Sequence, residues 1–286
     1  MKKRGLNWRR DAEKFALAIL AVCLLMVALS GCTSSSMQPT RNFTTITPGM
    51  LEVVTGSTNA PFVWINTSVS DPQERYTGFD VDLMREIAKE LKCQVEFVSQ
   101  PFSTIITSVQ AGQYDCAIDS LSITGERQTR VAFSDPYYMA QQSILVRAND
   151  SSINNASDLV AKGKLICVQS GTTGEAAARN LPGVNPANIK SYERYNDMLT
   201  ELQLGSVDAV IMDYPINQYY SDIYAGSFKF TGQLFPEKEP YAIVINKENV
   251  KLTAAIDRAL ANIKADGRYE ALLNKYHLDA TSAFSG

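Results

Sequence analysis

The chain has 286 residues, of which 45% are hydrophobic, so it is long enough to bury the cores of two ordinary domains. Its formal net charge is −3, and because six of its basic residues stand before Phe15 the remainder is more acidic still, which argues against a nucleic acid partner. A single histidine, His277, lies in a polar segment near the C-terminus, which predicts a solvated surface residue and argues against a metal site.

The first 31 residues have the composition of a secretory signal, with basic residues before an uninterrupted apolar run at 15–29. That run is too short to cross a hydrocarbon core, which needs about 20 residues. It ends in Leu29-Ser30-Gly31-Cys32, which resembles a bacterial lipobox. We therefore predict a signal peptide at 1–31, a lipid such as palmitate on Cys32, and a lipidated flexible tether at 32–48 that anchors the protein to a membrane on its extracellular or periplasmic face.

The remaining cysteines do not predict a disulfide framework. Cys23 belongs to the signal and Cys32 to the lipid site, which leaves Cys93, Cys116 and Cys167. Each of these three lies in an apolar, strand-like run. We therefore predict buried, unreactive thiols.

Short β-branched runs alternate with helical periodicity along the rest of the chain, which is typical of parallel α/β construction. The predicted strands are 51–55, 95–98, 114–118, 165–168, 189–192 and 207–212. The predicted helices are 81–91, 105–111, 198–204 and 252–264.

One helix–strand unit occurs twice. The segment 102–112 aligns with 195–205, with Thr, Gln and Gly at equal offsets, and a strand with an aspartate near its start follows each. Helix, C-cap glycine and strand recur in many α/β proteins, but the equal offsets favour two related lobes. We predict lobe 1 at 49–142, lobe 2 at 143–240 and a return to lobe 1 at 241–286. Strands at 143–147 and 241–245 would then cross between the lobes as a hinge.

Polar residues follow the predicted strands at the sheet edge where open α/β folds bind ligands. After 114–118 comes Asp119-Ser120-Leu121-Ser122, and then Thr124, an expected N-cap, with Arg127 in the first helical turn. A cation there opposes the helix dipole unless an anion is present. We therefore predict that Arg127 clamps a carboxylate, although a solvated arginine is the alternative.

The second lobe offers a similar segment in Gln169-Ser170-Gly171-Thr172-Thr173-Gly174-Glu175. Thr172 and Glu175 fit a capping box, and Thr172 and Thr173 are candidate contacts of a ligand carboxylate. The segment lacks the Lys of a P-loop. Asp213, at the end of 207–212, is predicted to pair with an ammonium group and complete a clamp for a zwitterion.

Phe102 is the predicted aromatic wall of the site. Four other aromatic residues, Phe62, Trp64, Tyr137 and Tyr138, are expected in the core or at its rim.

Together these segments resemble the extracellular solute-binding proteins of family 3, the polar amino acid receptors of ABC importers. The resemblance rests on GFDVDL at 78–83, on 112–127 with FSDPYY at 133–138, on QSGTT at 169–173, on 207–215 and on ADGRY at 265–269. It implies an α/β, two-lobed periplasmic-binding-protein type II architecture, with two open parallel-type sheets joined by two crossing strands. It also implies an amino acid ligand, an ABC transporter permease as partner, and no cofactor; we expect a monomer.

The same resemblance implies roles for individual residues. Ser120 and Ser122 would contact the ligand's amine and carboxylate, Arg127 and Thr173 would hold its carboxylate, Asp213 its amine, and Phe102 its side chain.

Two departures from the family pattern bear on the ligand. Asn59 stands where the family usually has an aromatic residue, and it is kept as a candidate ligand contact. Gly56 and Ser57 replace an acid that is frequent in members that bind basic amino acids, whereas Asp119 replaces a small residue. The acidic surplus favours a basic or strongly polar amino acid.

Two alternatives remain open. One is an enzyme on the same scaffold that resembles periplasmic cyclohexadienyl dehydratases, with Asp119 as general acid. The predicted cleft has no histidine, nucleophile–base pair or metal set, so we expect no enzymatic activity. The other is a sensory module that acts through a separate receptor chain.

Overall fold

The computed structural model describes residues 42–278. The predicted signal peptide, Cys32 and the first part of the tether lie outside the described residues. In the part of the chain that is described, no helix combines the length and the apolar character needed to cross a membrane.

Strands and helices alternate in the described chain. The strands, in chain order, are β1 (Met50–Thr55), β2 (Thr58–Asn59), β3 (Val63–Ile65), β4 (Tyr76–Thr77), β5 (Gln94–Ser99), β6 (Cys116–Ala117), β7 (Ala132–Phe133), β8 (Tyr138–Ala140), β9 (Gln142–Arg147), β10 (Ile166–Gln169), β11 (Ile189–Tyr192), β12 (Ala209–Asp213), β13 (Phe228–Leu234), β14 (Glu239–Tyr241) and β15 (Val244–Ile245). The helices are α1 (Phe79–Glu90), α2 (Phe102–Gln110), α3 (Gly125–Arg130), α4 (Ala156–Ala161), α5 (Thr173–Arg179), α6 (Tyr195–Leu204), α7 (Tyr214–Ile223), α8 (Val250–Ala265) and α9 (Arg268–Lys275), with a 3₁₀ turn at Pro186–Asn188. Every strand and helix predicted from periodicity is confirmed, with small shifts of its ends.

The first sheet has the strand order β5-β1-β6-β15-β7. Strand β1 runs parallel to β5 and β6, whereas β15 is antiparallel to both of its neighbours. Both faces are covered, because Leu51 and Val53 of β1 belong to one apolar cluster and Val54 to another, which also contains Ile105 and Val109 of α2. This two-sided burial explains why the strand is almost continuously apolar.

The second sheet repeats this plan with the order β11-β10-β12-β9-β13. Strand β10 is parallel to β11 and β12, and β9 is antiparallel to β12 and β13. The predicted duplicated unit is present, because α2 leads to β6 and α6 leads to β12, and each strand lies beside a central parallel strand of its sheet. Parallel strands at matching positions bring the carboxyl ends of β6 and β12 to comparable places in the two sheets.

The strands that connect the two sheets lie earlier in the chain than predicted. Strands β8 and β14 pair antiparallel as a separate two-stranded sheet. The predicted crossing segment 143–147 instead belongs to the second sheet, and Val244–Ile245 belongs to the first. The apolar runs that suggested crossing strands are buried inside the sheets, whereas the crossing pair carries Glu239 and Pro240, which the sequence pattern did not mark as a strand.

The cysteines and the histidine lie largely as predicted. Cys116 and Cys167 are free and buried, and burial raises the pKa of both thiols above the usual value. The prediction is wrong for Cys93, which is only half-buried because it lies just past the C-terminal end of α1. His277 is exposed, as predicted.

Candidate functional site

Arg127 is a buried cation that joins segments from both sheets. Its side chain donates one hydrogen bond to the Ser122 carbonyl oxygen from Nη1 at 2.8 Å, and another to the Gly171 carbonyl oxygen from Nη2 at 3.0 Å. The residue is 8% exposed, and burial lowers its pKa from the usual value against the opposing effect of Asp213 and Glu239. Arg127 is thus held between the loop that follows β6 and the loop that follows β10.

Local capping fixes the position of Arg127 in α3. The Thr124 hydroxyl oxygen accepts a hydrogen bond from the Arg127 N–H group at 3.2 Å, which confirms the predicted N-cap. The Phe102 ring, at the start of α2, lies 5.6 Å from the guanidinium carbon, within the range of a cation–π contact. Phe102 therefore contacts the residue that was predicted to bind the ligand carboxylate.

The loop before α5 is ordered by its own side chains. The Thr172 hydroxyl accepts from the Glu175 N–H group at 3.1 Å and donates to the Gln169 carbonyl oxygen at 2.8 Å. Glu175 accepts in turn from the Gly171 N–H group at 2.8 Å. The predicted capping interaction is present, and it uses both functions of the Thr172 hydroxyl within the loop.

Gly171 is the residue that permits the close approach of this loop to α2. It adopts a left-handed conformation with φ of 77°, and a Cβ atom there would lie 3.3 Å from the Ser103 Cα atom. Glycine thereby brings the Gly171 carbonyl oxygen within reach of Arg127.

Asp213, the last residue of β12, lies buried at the opposite end of the site. Its Oδ1 atom accepts a hydrogen bond from Gln142 Nε2 at 2.9 Å. Burial, with the charge of nearby Glu239, raises the pKa of Asp213 to about 8 against the opposing effects of Tyr241 and Arg127. The structure therefore brings the two charges of the predicted clamp, Arg127 and Asp213, into one electrostatic network.

Two residues of this network were missed by sequence reasoning. Glu239, on the crossing strand β14, accepts hydrogen bonds at Oε2 from the Thr173 hydroxyl at 2.6 Å, the Ser122 hydroxyl at 2.9 Å and Gln142 Nε2 at 3.1 Å. Gln142, the first residue of β9, is buried and contacts both Asp213 and Glu239. In sequence Glu239 belongs to the charged run Glu237-Lys238-Glu239, which reads as an exposed loop; only its position before Pro240 and an apolar strand set it apart.

Asp119 and Gly56 fit each other at the ends of β6 and β1. Asp119 is fully buried, and its Oδ1 atom accepts from the Thr55 hydroxyl at 3.2 Å. A Cβ atom on Gly56 would lie 2.5 Å from Asp119 Oδ2, so the glycine leaves the space that the carboxylate fills. Burial raises the pKa of Asp119 to about 7, and the Thr55 hydrogen bond partly offsets this rise.

Ser120 and Asn59 have different surroundings from the clamp. The Ser120 N–H group donates to Asp80 Oδ2 at 2.7 Å, so a second buried acid fixes the backbone of the loop that carries Ser120 and Ser122. Burial raises the pKa of Asp80 to about 8. Asn59 is buried in the small sheet β2-β3-β4, and no hydrogen bond among the described residues joins it to Arg127 or Asp213.

Several cavities lie in the described part of the chain, and two of them border residues discussed above. One of about 370 Å³ lies beside Arg127, Phe102, Gly171 and Thr172. Another of about 290 Å³ is lined by Gly56 and Ser57 on one side and by residues 193–194 on the other. A third, of about 300 Å³, is lined by tyrosines of α7 and shares no lining residue with the other two.

Known proteins are similar to most of this chain. Residues 51–279 match the profile of the bacterial extracellular solute-binding proteins, family 3. The lysine/arginine/ornithine-binding periplasmic protein of Escherichia coli (strain K12) is 32% identical over 91% of this chain and 96% of its own length.

Solved structures of two-lobed amino acid-binding proteins are similar as well. An ancestral arginine-binding protein bound to arginine is 35% identical over 80% of this chain and 98% of its own, with a TM-score of 0.73. An ancestral amino acid-binding protein described as a precursor of cyclohexadienyl dehydratase is 33% identical over 80% of this chain and 95% of its own, with a TM-score of 0.71. The chain has the two-lobed α/β fold of these proteins, and it belongs to the bacterial extracellular solute-binding proteins, family 3.

Proposed function

We propose that this protein binds a free amino acid between its two lobes and delivers it to the permease of an ABC importer. The observation that carries the proposal is the buried pair of opposite charges, Arg127 and Asp213, in one network at the ends of equivalent strands. A free amino acid has a carboxylate and an ammonium group on the same carbon, which is the charge pattern that such a pair complements.

Each pole of the ligand has a candidate partner. The guanidinium of Arg127 pairs with the ligand carboxylate in place of the Ser122 and Gly171 carbonyl oxygens that it contacts here. Asp213 pairs with the ammonium group, with Ser120 and Ser122 beside it, and Thr173 joins Arg127 at the carboxylate. Phe102, which is 7% exposed, contributes an apolar wall. Thr172 contributes through the shape of its loop, and Asn59 borders the ligand from the small sheet.

A basic or strongly polar side chain suits the acidic end of the cleft. Asp119 is fully buried in space that Gly56 leaves open, beside a cavity, and a cation there would offset the cost of its burial. The similar proteins of known ligand include one that binds lysine, arginine and ornithine and one bound to arginine. Other relatives are named for histidine or glutamine, so together these names support a basic or strongly polar ligand for this chain.

Calorimetry with the twenty common amino acids tests the proposal. We expect binding, strongest for basic or polar members, together with a rise in melting temperature, since ligand at a hundredfold over Kd adds about 2.7 kcal/mol of stability. If none of the twenty binds, the proposed function is wrong.

We further propose that the protein is a monomeric lipoprotein, anchored by palmitate or a similar acyl chain on Cys32 after removal of the signal peptide 1–31. The support is the Leu29-Ser30-Gly31-Cys32 motif behind an apolar run. Mass spectrometry of the N-terminal peptide from membranes is expected to show a lipid-modified Cys32. A Cys32→Ala variant is expected in the soluble fraction, and membrane retention of that variant would contradict the proposed anchor.

A second candidate is a dehydratase activity on the same scaffold. It is favoured by the similarity to a described dehydratase precursor and by Asp119, which burial keeps partly protonated near neutral pH because its pKa is raised to about 7. Turnover of prephenate or arogenate that disappears in Asp119→Asn would establish this activity. Binding of an amino acid without turnover would establish the receptor alone.

A further inference from the structure

Glu239 determines how two hydroxyl groups in the centre of the site are oriented. Its Oε2 atom lies 2.6 Å from the Thr173 hydroxyl and 2.9 Å from the Ser122 hydroxyl. An ionised carboxylate can only accept, so both hydroxyls must donate their single hydrogen to it. Each hydroxyl is left with lone pairs alone for further partners, and the Thr173 oxygen already lies 3.2 Å from Gln142 Nε2, which can donate to it. Such groups can accept from an ammonium group but cannot donate to a carboxylate.

Gln142 shows that Glu239 and Asp213 act at the same place. Its Nε2 atom lies 2.9 Å from Asp213 Oδ1 and 3.1 Å from Glu239 Oε2, so one amide nitrogen lies between two carboxylates. Its Oε1 atom is buried and has no hydrogen-bond partner among the described residues. A buried acceptor without a partner is costly, and a donor from a ligand would satisfy it.

The charges at this place do not balance within the protein once both acids are ionised, which is the state that an arriving ammonium group favours. Arg127 supplies one buried positive charge near Asp213 and Glu239, which together carry two negative charges when ionised. A ligand ammonium group would supply the missing cation and several N–H donors. A ligand carboxylate, by contrast, would pair with Arg127 and would add no cation beside Asp213 and Glu239.

We infer that Glu239 is a positioning residue of the ammonium pole. With Asp213 it forms a two-carboxylate pocket, and it turns the Ser122 and Thr173 hydroxyls into acceptors for the ligand's ammonium group. The pocket selects ligands with a free primary amine over hydroxy or keto acids of the same side chain. The inference rests on the proposed function, and it assigns the Thr173 hydroxyl to the amine instead of the carboxylate.

The substitution Glu239→Gln tests this role with little change in shape. The glutamine can still accept from both hydroxyls through its amide oxygen, but it removes the negative charge. Calorimetry should compare the best amino acid ligand with the hydroxy acid of the same side chain. We expect affinity for the amino acid to fall at least tenfold, and affinity for the hydroxy acid to change less than twofold. Glu237→Gln is the matched control, because Glu237 is exposed two residues earlier, and it should leave both affinities unchanged.

A readout without ligand separates this inference from the proposed function. Because Glu239 raises the pKa of Asp213, the Asp213 carboxyl followed by NMR should titrate at lower pH in Glu239→Gln than in the unmodified protein. If that titration does not move, the two-carboxylate pocket is wrong. If it moves and no amino acid binds the unmodified protein, the proposed function fails and the pairing of the two acids stands. Unchanged or tighter amino acid binding in Glu239→Gln would overturn the inference.

Discussion

The two poles of the site are built in different ways. The cationic pole is local, because Ser122, Thr124 and Arg127 lie within one loop and helical turn, and of the hydrogen bonds described only the one to the Gly171 carbonyl oxygen reaches another segment. The acidic pole is assembled from distant segments: Asp213 ends β12, Gln142 begins β9 and Glu239 lies on the crossing strand β14. A pole held by one segment depends mainly on a single side chain. A pole shared by several segments depends on how those segments meet, and it couples the ligand's amine to the strands that join the lobes.

The largest expected effect is at the cationic pole. Arg127→Met removes the carboxylate partner and leaves Asp213 and Glu239 without a buried counter-charge. Losing one partner of a buried, hydrogen-bonded pair costs about 2–5 kcal/mol. We expect affinity for the ligand to fall about a hundredfold or more by calorimetry.

Arg130→Met is the control for that substitution. Arg130 lies in the same helix, and its guanidinium contacts Gln110 and Thr107 in place of the site. The Arg130→Met variant should bind the ligand with unchanged affinity. If Arg127→Met binds within a few-fold of the unmodified protein, the carboxylate is held elsewhere and the comparison of the two poles has no basis.

Asp213→Asn is expected to weaken binding somewhat less, about thirtyfold, because Glu239 still supplies a carboxylate at the acidic pole.

The pH dependence of binding gives a sharper test of Asp213. Burial raises the pKa of Asp213 to about 8, so at pH 7 the free protein holds a proton there. An arriving ammonium group favours the ionised form and lowers this pKa, so binding should release a proton. Calorimetry in buffers of different ionisation enthalpy measures that release, which Asp213→Asn should abolish; its persistence in the variant would assign the proton to another group.

The difference between the poles also explains what the sequence could predict. Arg127, Thr124 and the capping pair of Thr172 with Glu175 follow from short-range rules, and Asp213 follows from its place after an apolar strand. Glu239 and Gln142 could not be found in this way, since the contacts of Glu239 join residues 66 to 117 positions apart and Gln142 contacts Asp213 71 positions away. The crossing strands were misplaced for a related reason, because Val244–Ile245 and β9 read as apolar strands wherever they lie. Their assignment to a sheet or to a crossing is decided by tertiary packing.

A specificity effect of intermediate size is expected where Asp119 meets Gly56. Asp119→Ser should weaken binding of a basic amino acid about tenfold relative to glutamine, which corresponds to about 1.4 kcal/mol. Gly56→Ala should have a similar effect while Asp119 is present, because the added Cβ atom would lie 2.5 Å from Asp119 Oδ2 and displace the carboxylate. The double variant should be no worse than Asp119→Ser alone, because serine leaves room for the alanine. Additive losses in this double-mutant cycle would show that the two positions act independently.

Asp119→Ser also has a signature in stability. The pKa of Asp119 rises from 3.8 to about 7 on burial, so over that range the folded protein holds a proton that the unfolded chain has released. The unfolded chain therefore binds fewer protons, and the free energy of unfolding falls as pH rises through this range. Removing the carboxyl should make the melting temperature less sensitive to pH between about 4 and 7. An unchanged pH profile would mean that Asp119 ionises more readily than its burial implies.

The smallest expected effect is at Phe102, which contacts Arg127 but carries no charge itself. Phe102→Leu keeps an apolar wall but removes the cation–π contact at 5.6 Å, a loss of about 0.5–1 kcal/mol. We expect about a three- to fivefold weaker affinity. Phe97→Leu is the matched control, because Phe97 is also buried and lies 5.9 Å from another guanidinium, that of Arg85. Both variants should melt at lower temperature, whereas only Phe102→Leu should lose affinity. Equal affinity losses would mean that packing of the first lobe, and not contact with the cationic pole, limits binding.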